Sequence, residues 1–291
     1  MNNIAFLNDN FVPLNEAKIS VLDRGFLFAD GVYEVIPVYA GKLFRLDAHL
    51  ARLHHSLSAI DLSLSDWNDT RWRDMLETLV ARNGGGHLSV YLQVTRGPQP
   101  VRDHRIPDNI RPTVFAMCQP MPVYETIEAL QPIRCALVED IRWMRCDIKS
   151  IALLGNVLAK HQATVRGADE ALLIRDGYVN EGSASNLFVV LDDQIVTPPK
   201  SNLILGGITR DLVIELLRQN KMRVHERPIS IDDLKRATEV WVSSSTREIR
   251  AVIEIDGKPV GRGACGPMWR KAAEIYHAYK QKLIQGGADD L

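Results

Sequence analysis

Near the middle of the chain an extended segment from Glu139 to Ile148 runs into Lys149-Ser150. There an apolar helical pattern takes over from about Ile151, carrying Leu153, Leu154, Val157, Leu158 and Lys160. A lysine at a strand-to-helix junction constrains the chain strongly, because two regular elements fix the position of one amine. An amine held in that way can be desolvated and aimed as a Schiff-base nucleophile. Its ordinary pKa lies near 10.4, so keeping it neutral at pH 7 costs roughly 4 to 5 kcal/mol, which burial or a neighbouring cation has to supply. On spacing alone a solvated lysine opening a helix is the commoner case, and the rest of the chain has to decide.

The 291 residues are long for one hydrophobic core and comfortable for two. Composition shifts at Gln119-Pro120-Met121-Pro122-Val123-Tyr124, where two prolines mark a connection. The expected organisation is a small N-terminal domain over 1–120, a linker over 121–124 and a larger domain over 125–291. A formal net charge of −1 with no run of like charge points away from nucleic acid and anionic membranes and towards small-molecule partners. The four cysteines, Cys118, Cys135, Cys146 and Cys265, lack C-x-x-C spacing, which argues against a metal site or a disulfide framework and for reduced thiols in the cytoplasm. Met1 to Asn10 does not resemble a signal peptide, and no apolar run reaches membrane-spanning length, so a soluble protein is expected.

Short strands are expected at Ile4 to Leu7, Phe11-Val12, Ile19 to Leu22 and Tyr33 to Tyr39, with a turn at Ala40-Gly41. The connection Asp23-Arg24-Gly25-Phe26-Leu27-Phe28-Ala29-Asp30-Gly31-Val32-Tyr33-Glu34 is dense in charge and aromatics, as the wall of a site would be. Asp47 is placed to cap a helix with the apolar stripe Leu50, Leu53 and Leu57, and a second helix runs from about Trp67 to Arg82. Arg52 falls off that stripe, so periodicity reads it as solvated. After a strand from His87 to Thr95, a proline-bounded loop carries Arg102 and His104, two donors close enough to trap a carboxylate, or simply a solvated charged loop.

In the second half a strand spans Ile133 to Val138, and two more, Ala171 to Ile174 and Asn186 to Val190, flank the turn at Arg175-Asp176-Gly177. Glu181 stands among small residues and can pair with a cofactor's ring nitrogen or merely lie at the surface. Leu205-Gly206-Gly207-Ile208-Thr209 opens a helix through Leu217, and free amides at such a start can cup a phosphate. The run Ser243-Ser244-Ser245-Thr246 after a strand from Glu239 can complete that cup or be a plain turn. A strand from Val252 to Ile255 and a helix from about Met268 to Leu283 close the chain.

Taken in order, Tyr33, Arg52, Lys149, Glu181, the Gly-Ile-Thr helix start and the serine run resemble the fold-type-IV pyridoxal-phosphate enzymes over nearly the whole chain. Asp147-Ile148-Lys149-Ser150, Leu153 to Lys160, Asp23-Arg24-Gly25, Asp30 to Val35 and Arg102-x-His104 are similar to the D-amino-acid aminotransferases. The resemblance implies an α+β fold, with a small α/β domain and a larger one built on a pseudo-barrel of mostly antiparallel strands. It implies pyridoxal 5'-phosphate as cofactor, carried on Lys149, with Glu181 at the pyridine nitrogen. Arg52, the amides of Ile208 and Thr209, Ser244, Ser245 and Leu205 would hold the cofactor. Tyr33 would line the site, and Arg102 and His104 would bind the substrate carboxylate. It further implies a homodimer and ping-pong transamination between D-amino acids and 2-oxo acids. A branched-chain L-aminotransferase, a 4-amino-4-deoxychorismate lyase and a non-catalytic pyridoxal-phosphate-binding protein remain open on the same fold.

Overall fold

The computed structural model describes residues 3–286. Its contacts divide the chain into two units. Of the described residues, the first comprises 3–123, the short segment Ile148–Ala152 and 283–286; the second comprises Tyr124–Asp147 and Leu153–Lys282. The linear division drawn from the sequence is therefore interrupted: Lys149 lies in the C-terminal half of the sequence but packs in the first unit.

The first unit contains β1 (Ile4–Leu7), β2 (Asn10–Pro13), α1 (Arg24–Phe28), β3 (Gly31–Tyr39), β4 (Lys42–Leu43), α2 (Leu46–Ala59), α3 (Asp69–Arg82), β5 (Leu88–Thr95) and β6 (Thr113–Pro120). The strands form one sheet in the order β2-β1-β6-β5-β3-β4, antiparallel at every pairing. Leu50, Leu53 and Leu57 of α2 join Trp72, Leu76 and Leu79 of α3 in the core over this sheet, and each fully buried leucine contributes about 2 kcal/mol. Asp47 does not cap α2. Arg45 occupies the N-cap in a left-handed conformation without a side-chain cap, and Asp47 pairs instead with Arg73 on α3. Asn68 caps α3 by accepting from the Arg71 amide at 2.9 Å. The segment from Ile19 to Leu22 is not a strand; Val21 is 70% exposed, and the segment joins neither sheet among the described residues.

The second unit contains β7 (Ile133–Glu139), α4 (Leu154–Val165), β8 (Glu170–Arg175), β9 (Tyr178–Gly182), β10 (Asn186–Leu191), β11 (Gln194–Thr197), α5 (Ile208–Gln219), β12 (Val224–Glu226), α6 (Ile231–Arg236), β13 (Glu239–Ser244), β14 (Glu248–Ile255), β15 (Lys258–Pro259) and most of α7 (Pro267–Ile284). Its nine-stranded sheet runs β12-β11-β10-β13-β14-β7-β8-β9, with β15 on β14. Pairing is mostly antiparallel; β11-β12, β14-β7 and β7-β8 are parallel, and α4 is the crossover between β7 and β8. The fold is α+β. Helix α4 starts at Leu154 rather than Ile151 and turns its small residues inward: Ala159 and Ala163 pack on Ala136, Val138, Ala171 and Leu173 of β7 and β8. Its large apolar residues Leu154, Val157 and Val165 face outward.

Candidate active site

The stretch before Lys149 is irregular, not a strand, because a buried ion pair organises it. Arg142 donates through Nε to Asp140 at 2.9 Å, and the Asp140 side chain is fully buried. The lysine itself is held from the first unit. The Tyr33 amide donates to the Lys149 carbonyl at 2.9 Å and the Ile151 amide to the Gly31 carbonyl at 3.1 Å, so that Val32 and Ser150 form an antiparallel bridge. Ser56 of α2 accepts from the Lys149 amide at 3.2 Å, while Ile148 is buried in the core beneath. With the backbone pinned on both sides, the Lys149 ammonium lies 4.2 Å from the centre of the Tyr33 ring. A side chain on Gly31 would meet the Val94 carbonyl at 2.6 Å, which explains the glycine at the head of β3.

Arg52 is not solvated. Its side chain is 9% exposed and forms a two-pronged pair with Glu34 of β3, Nε to Oε1 at 2.8 Å and Nη2 to Oε2 at 2.7 Å. His49, one turn earlier, shares the same carboxylate through Nδ1 at 2.7 Å. Burial works to raise the Glu34 carboxyl, but the charge and hydrogen bonds of Arg52, aided by His49, overcome it and hold Glu34 well below the carboxylate range. Burial pushes His49 down, with the Arg52 and Lys149 charges acting the same way against Glu34. Substituting leucine for Arg52 strands a buried carboxylate and is expected to lower unfolding free energy by roughly 3 to 5 kcal/mol. Urea titration of the apoprotein checks this, and a loss below about 1 kcal/mol would show the pair to be no more than a surface bridge. Since folding depresses the Glu34 pKa, the stability from this pair is present above the unfolded value of 4.5 and is lost as pH falls below it.

On the loop after β5, Arg102 and His104 come together on one aromatic ring. The Arg102 guanidinium lies 4.9 Å from the centre of Phe28, and the His104 ring 5.1 Å from it. Both side chains belong to residues exposed to solvent, as a group that captures a diffusing anion needs to be.

In the second unit Glu181 sits on β9, a strand that the sequence hid among small residues, paired with β8. Its carboxylate accepts from Arg142 Nη1 at 2.7 Å, from the Leu205 amide at 3.1 Å and from Asn186 Nδ2 at 3.2 Å. Burial pushes the carboxyl up to about 7 in spite of Arg142. Asn186 also donates to the Leu205 carbonyl at 2.8 Å, tying β9, β10 and the approach to α5 into one frame. Helix α5 has Gly207 as its N-cap and no side-chain cap on its first amides, those of Ile208 and Thr209 included. A β-carbon at Gly207 would lie 1.9 Å from Asn186 Oδ1, so a side chain there would have to displace the Asn186 amide that bonds Glu181 and Leu205. At the end of β13 Ser244 and Ser245 are half-buried, and Ser243 Oγ is buried without a hydrogen-bond partner.

The amino-transferase class IV family model matches residues 31–255. The chain belongs to the class IV aminotransferases. Within that family it is 40% identical to the D-alanine aminotransferase of Listeria innocua over 281 residues, 96% of each chain. It is 41% identical to the D-alanine aminotransferase of Bacillus licheniformis over 261 residues, 90% of this chain and 91% of that one. Among solved structures it is similar to the T.th. branched-chain amino acid aminotransferase with pyridoxamine 5'-phosphate, at 29% identity and a TM-score of 0.89, covering 96% of this chain and 94% of that one.

Within this class IV aminotransferase, sequence reasoning missed Glu34, His49, Arg142 and Asn186. In the sequence Glu34 stands in a charged stretch, and its spacing of two from buried Val32 and Ile36 along β3 is the signal that it points inward. For Arg142 no such signal exists, since its partner Glu181 is 39 residues away.

Proposed function

We propose that this aminotransferase moves the amino group of D-amino acids, D-alanine for example, to 2-oxo acids such as 2-oxoglutarate, with pyridoxal 5'-phosphate as cofactor, as a homodimer in the cytoplasm. The observation that carries the choice of substrate is the pairing of Arg102 with His104 on Phe28, in a chain similar along nearly its whole length to D-alanine aminotransferases. A guanidinium and an imidazole presented side by side suit a carboxylate, which accepts two hydrogen bonds in one plane.

The residues fit the cofactor. Glu181 is a buried carboxylate poised near neutrality, suited to a protonated ring nitrogen. The uncapped start of α5 offers amides of Ile208 and Thr209 to a phosphate, and the buried Ser243 hydroxyl without a partner marks a place built for more polar contact than the chain itself supplies. Ser244, Ser245, Leu205 and Arg52 complete the set that would hold it. When bound, the cofactor supplies an electron sink for the charge left as the substrate loses its α-proton. Lys149 would hold it, and the Lys149 Nζ would move a proton between the substrate Cα and the product side. Tyr33, against which the Lys149 ammonium rests, keeps that amine aligned and lines the site. Arg102 and His104 would anchor the substrate carboxylate.

Two further features support the assembly and its setting. The outward Leu154, Val157 and Val165 of α4 are 71%, 59% and 72% exposed, an apolar stripe that a second copy would cover. The four cysteines are free thiols, and among the described residues no helix is long and apolar enough to cross a membrane.

A donor panel tests the reading. Purified holoenzyme given D-alanine and 2-oxoglutarate is expected to release pyruvate. Activity confined to L-leucine or L-valine would overturn the D-specific assignment in favour of a branched-chain enzyme, the kind to which the similar solved structure belongs.

A further inference from the structure

Asp23-Arg24-Gly25 has no part in the functions assigned above, yet it is among the most constrained pieces of the first unit. Asp23, 1% exposed, caps α1 by accepting from the Gly25 amide at 2.8 Å and also accepts from the hydroxyls of Thr95 and Thr113 at 2.7 and 2.6 Å. Those two threonines stand at the two ends of the loop that carries Arg102 and His104, so one carboxylate clamps its base. Gly97 completes the closure: its φ is +98°, and a β-carbon there would meet the Arg111 carbonyl at 2.0 Å.

Arg24 then reaches into the loop itself. It is 3% exposed, and its guanidinium donates to Asp30 at 2.7 Å, to the Gln99 side chain at 2.5 Å, and to the carbonyls of Asp103 at 2.6 Å and Arg105 at 3.3 Å. Nη2 adds the His104 carbonyl at 3.5 Å. These carbonyls belong to His104 and its two neighbours, and Asp103 is the residue between Arg102 and His104. The same guanidinium lies 4.8 Å from the centre of Phe28, the ring that also carries Arg102 and His104. Asp30, held in addition by Arg96 at 2.8 Å, fixes Arg24 from the other side.

We propose that Arg24 is a positioning residue for substrate selection: from inside the first unit it sets the backbone of residues 103–105, and with Phe28 it fixes the spacing at which Arg102 and His104 meet a carboxylate. The inference rests on the reading of Arg102 and His104 as the carboxylate anchor. Arginine is needed because several acceptors in one plane require a rigid fork of donors, which the single flexible ammonium of lysine does not provide. An anchor that binds the carboxylate alike in ground and transition states acts on KM and leaves kcat largely alone. Because both substrates of the ping-pong reaction carry a carboxylate, both KM values should move together.

The test compares holoenzyme carrying Arg24→Lys, Arg102→Leu or both. Arg24→Lys keeps the charge opposite Asp30 and is expected to raise KM for D-alanine and for 2-oxoglutarate by about tenfold, with kcat within about twofold of the parent. In the double variant KM should be no higher than with Arg102→Leu alone, since a displaced anchor and an absent one cost the same. A parental KM for Arg24→Lys beside a raised KM for Arg102→Leu would overturn the proposal and leave the anchor standing, as would effects that multiply in full in the double variant. A parental KM for Arg102→Leu itself would instead remove the anchor reading on which the proposal rests. If Arg24→Lys does not fold, Phe28→Leu carries the same test, since it removes the shared ring without touching a buried charge.

Discussion

Replacing Lys149 by alanine is expected to lower turnover of D-alanine by about 10⁴-fold or more, as losing both a covalent anchor and a proton-transfer group requires. The purified variant should also lack the visible absorbance of a cofactor carried on lysine. The structure explains why this loss should be confined to chemistry. The backbone of Lys149 is fixed by Tyr33, by Ser56 and by the bridge between Val32 and Ser150, none of which uses the lysine side chain. Ile148, buried at 5% exposure, anchors the segment independently. The apoprotein variant should therefore melt close to its parent, and added methylamine should restore a measurable part of the rate, because an external amine can take and return the α-proton. A variant that keeps both absorbance and turnover would remove Lys149 from its role and move the search to another amine.

The boundaries of what could be read from the chain follow the range of the forces involved. Leu50, Leu53 and Leu57 announce α2 because burial of one helix face is a local, periodic demand, and those three residues do enter the core. Lys149 stood out because a change of local pattern marks it. Arg52 read as solvated because its partner Glu34 is 18 residues away on a strand, and helical periodicity records only neighbours three and four apart. The burial of Arg142 was invisible for the same reason, and so was the inclusion of Ile148–Ala152 in the first unit. Helix α4 is a different case: an apolar helical pattern was legible from about Ile151, but not which face it buries, and it is the alanines that allow the close approach to β7 and β8 while the larger residues are left outside. An exposed apolar stripe and a buried one carry the same residue types, so composition cannot separate the two. What Arg24 does was likewise unreadable, although the motif was conspicuous, because its acceptors are carbonyls of the main chain and carry no residue-specific signature.

Changing Glu181 to glutamine is expected to cut kcat by about 10²- to 10³-fold, the scale of losing one preorganised electrostatic contact at a reacting system, with much less effect on KM. The amide is isosteric, can still accept from the Leu205 amide and can remain beside Asn186, but it cannot hold a proton on a ring nitrogen. Arg142 sharpens the consequence. In the parent its guanidinium faces two carboxylates, Asp140 and Glu181; in the variant only Asp140 balances it, so the neighbourhood becomes more positive just where a cationic ring should be favoured. A readout without cofactor separates this from simple damage. Burial raises the Glu181 carboxyl from 4.5 to about 7, so the folded state holds this proton more tightly than the unfolded chain does. The resulting stability is fully present below the unfolded value and is lost as pH rises through about 7, a span worth at most about 3 kcal/mol. Apoprotein carrying glutamine should lack that decline, and its denaturation midpoint should change less between pH 5 and pH 8 than the parent's. Equal slopes for the two proteins would mean that Glu181 is ionised throughout and that Arg142, rather than burial, sets its state. A full kcat together with a flattened pH profile would place the carboxylate in the fold and outside the reaction.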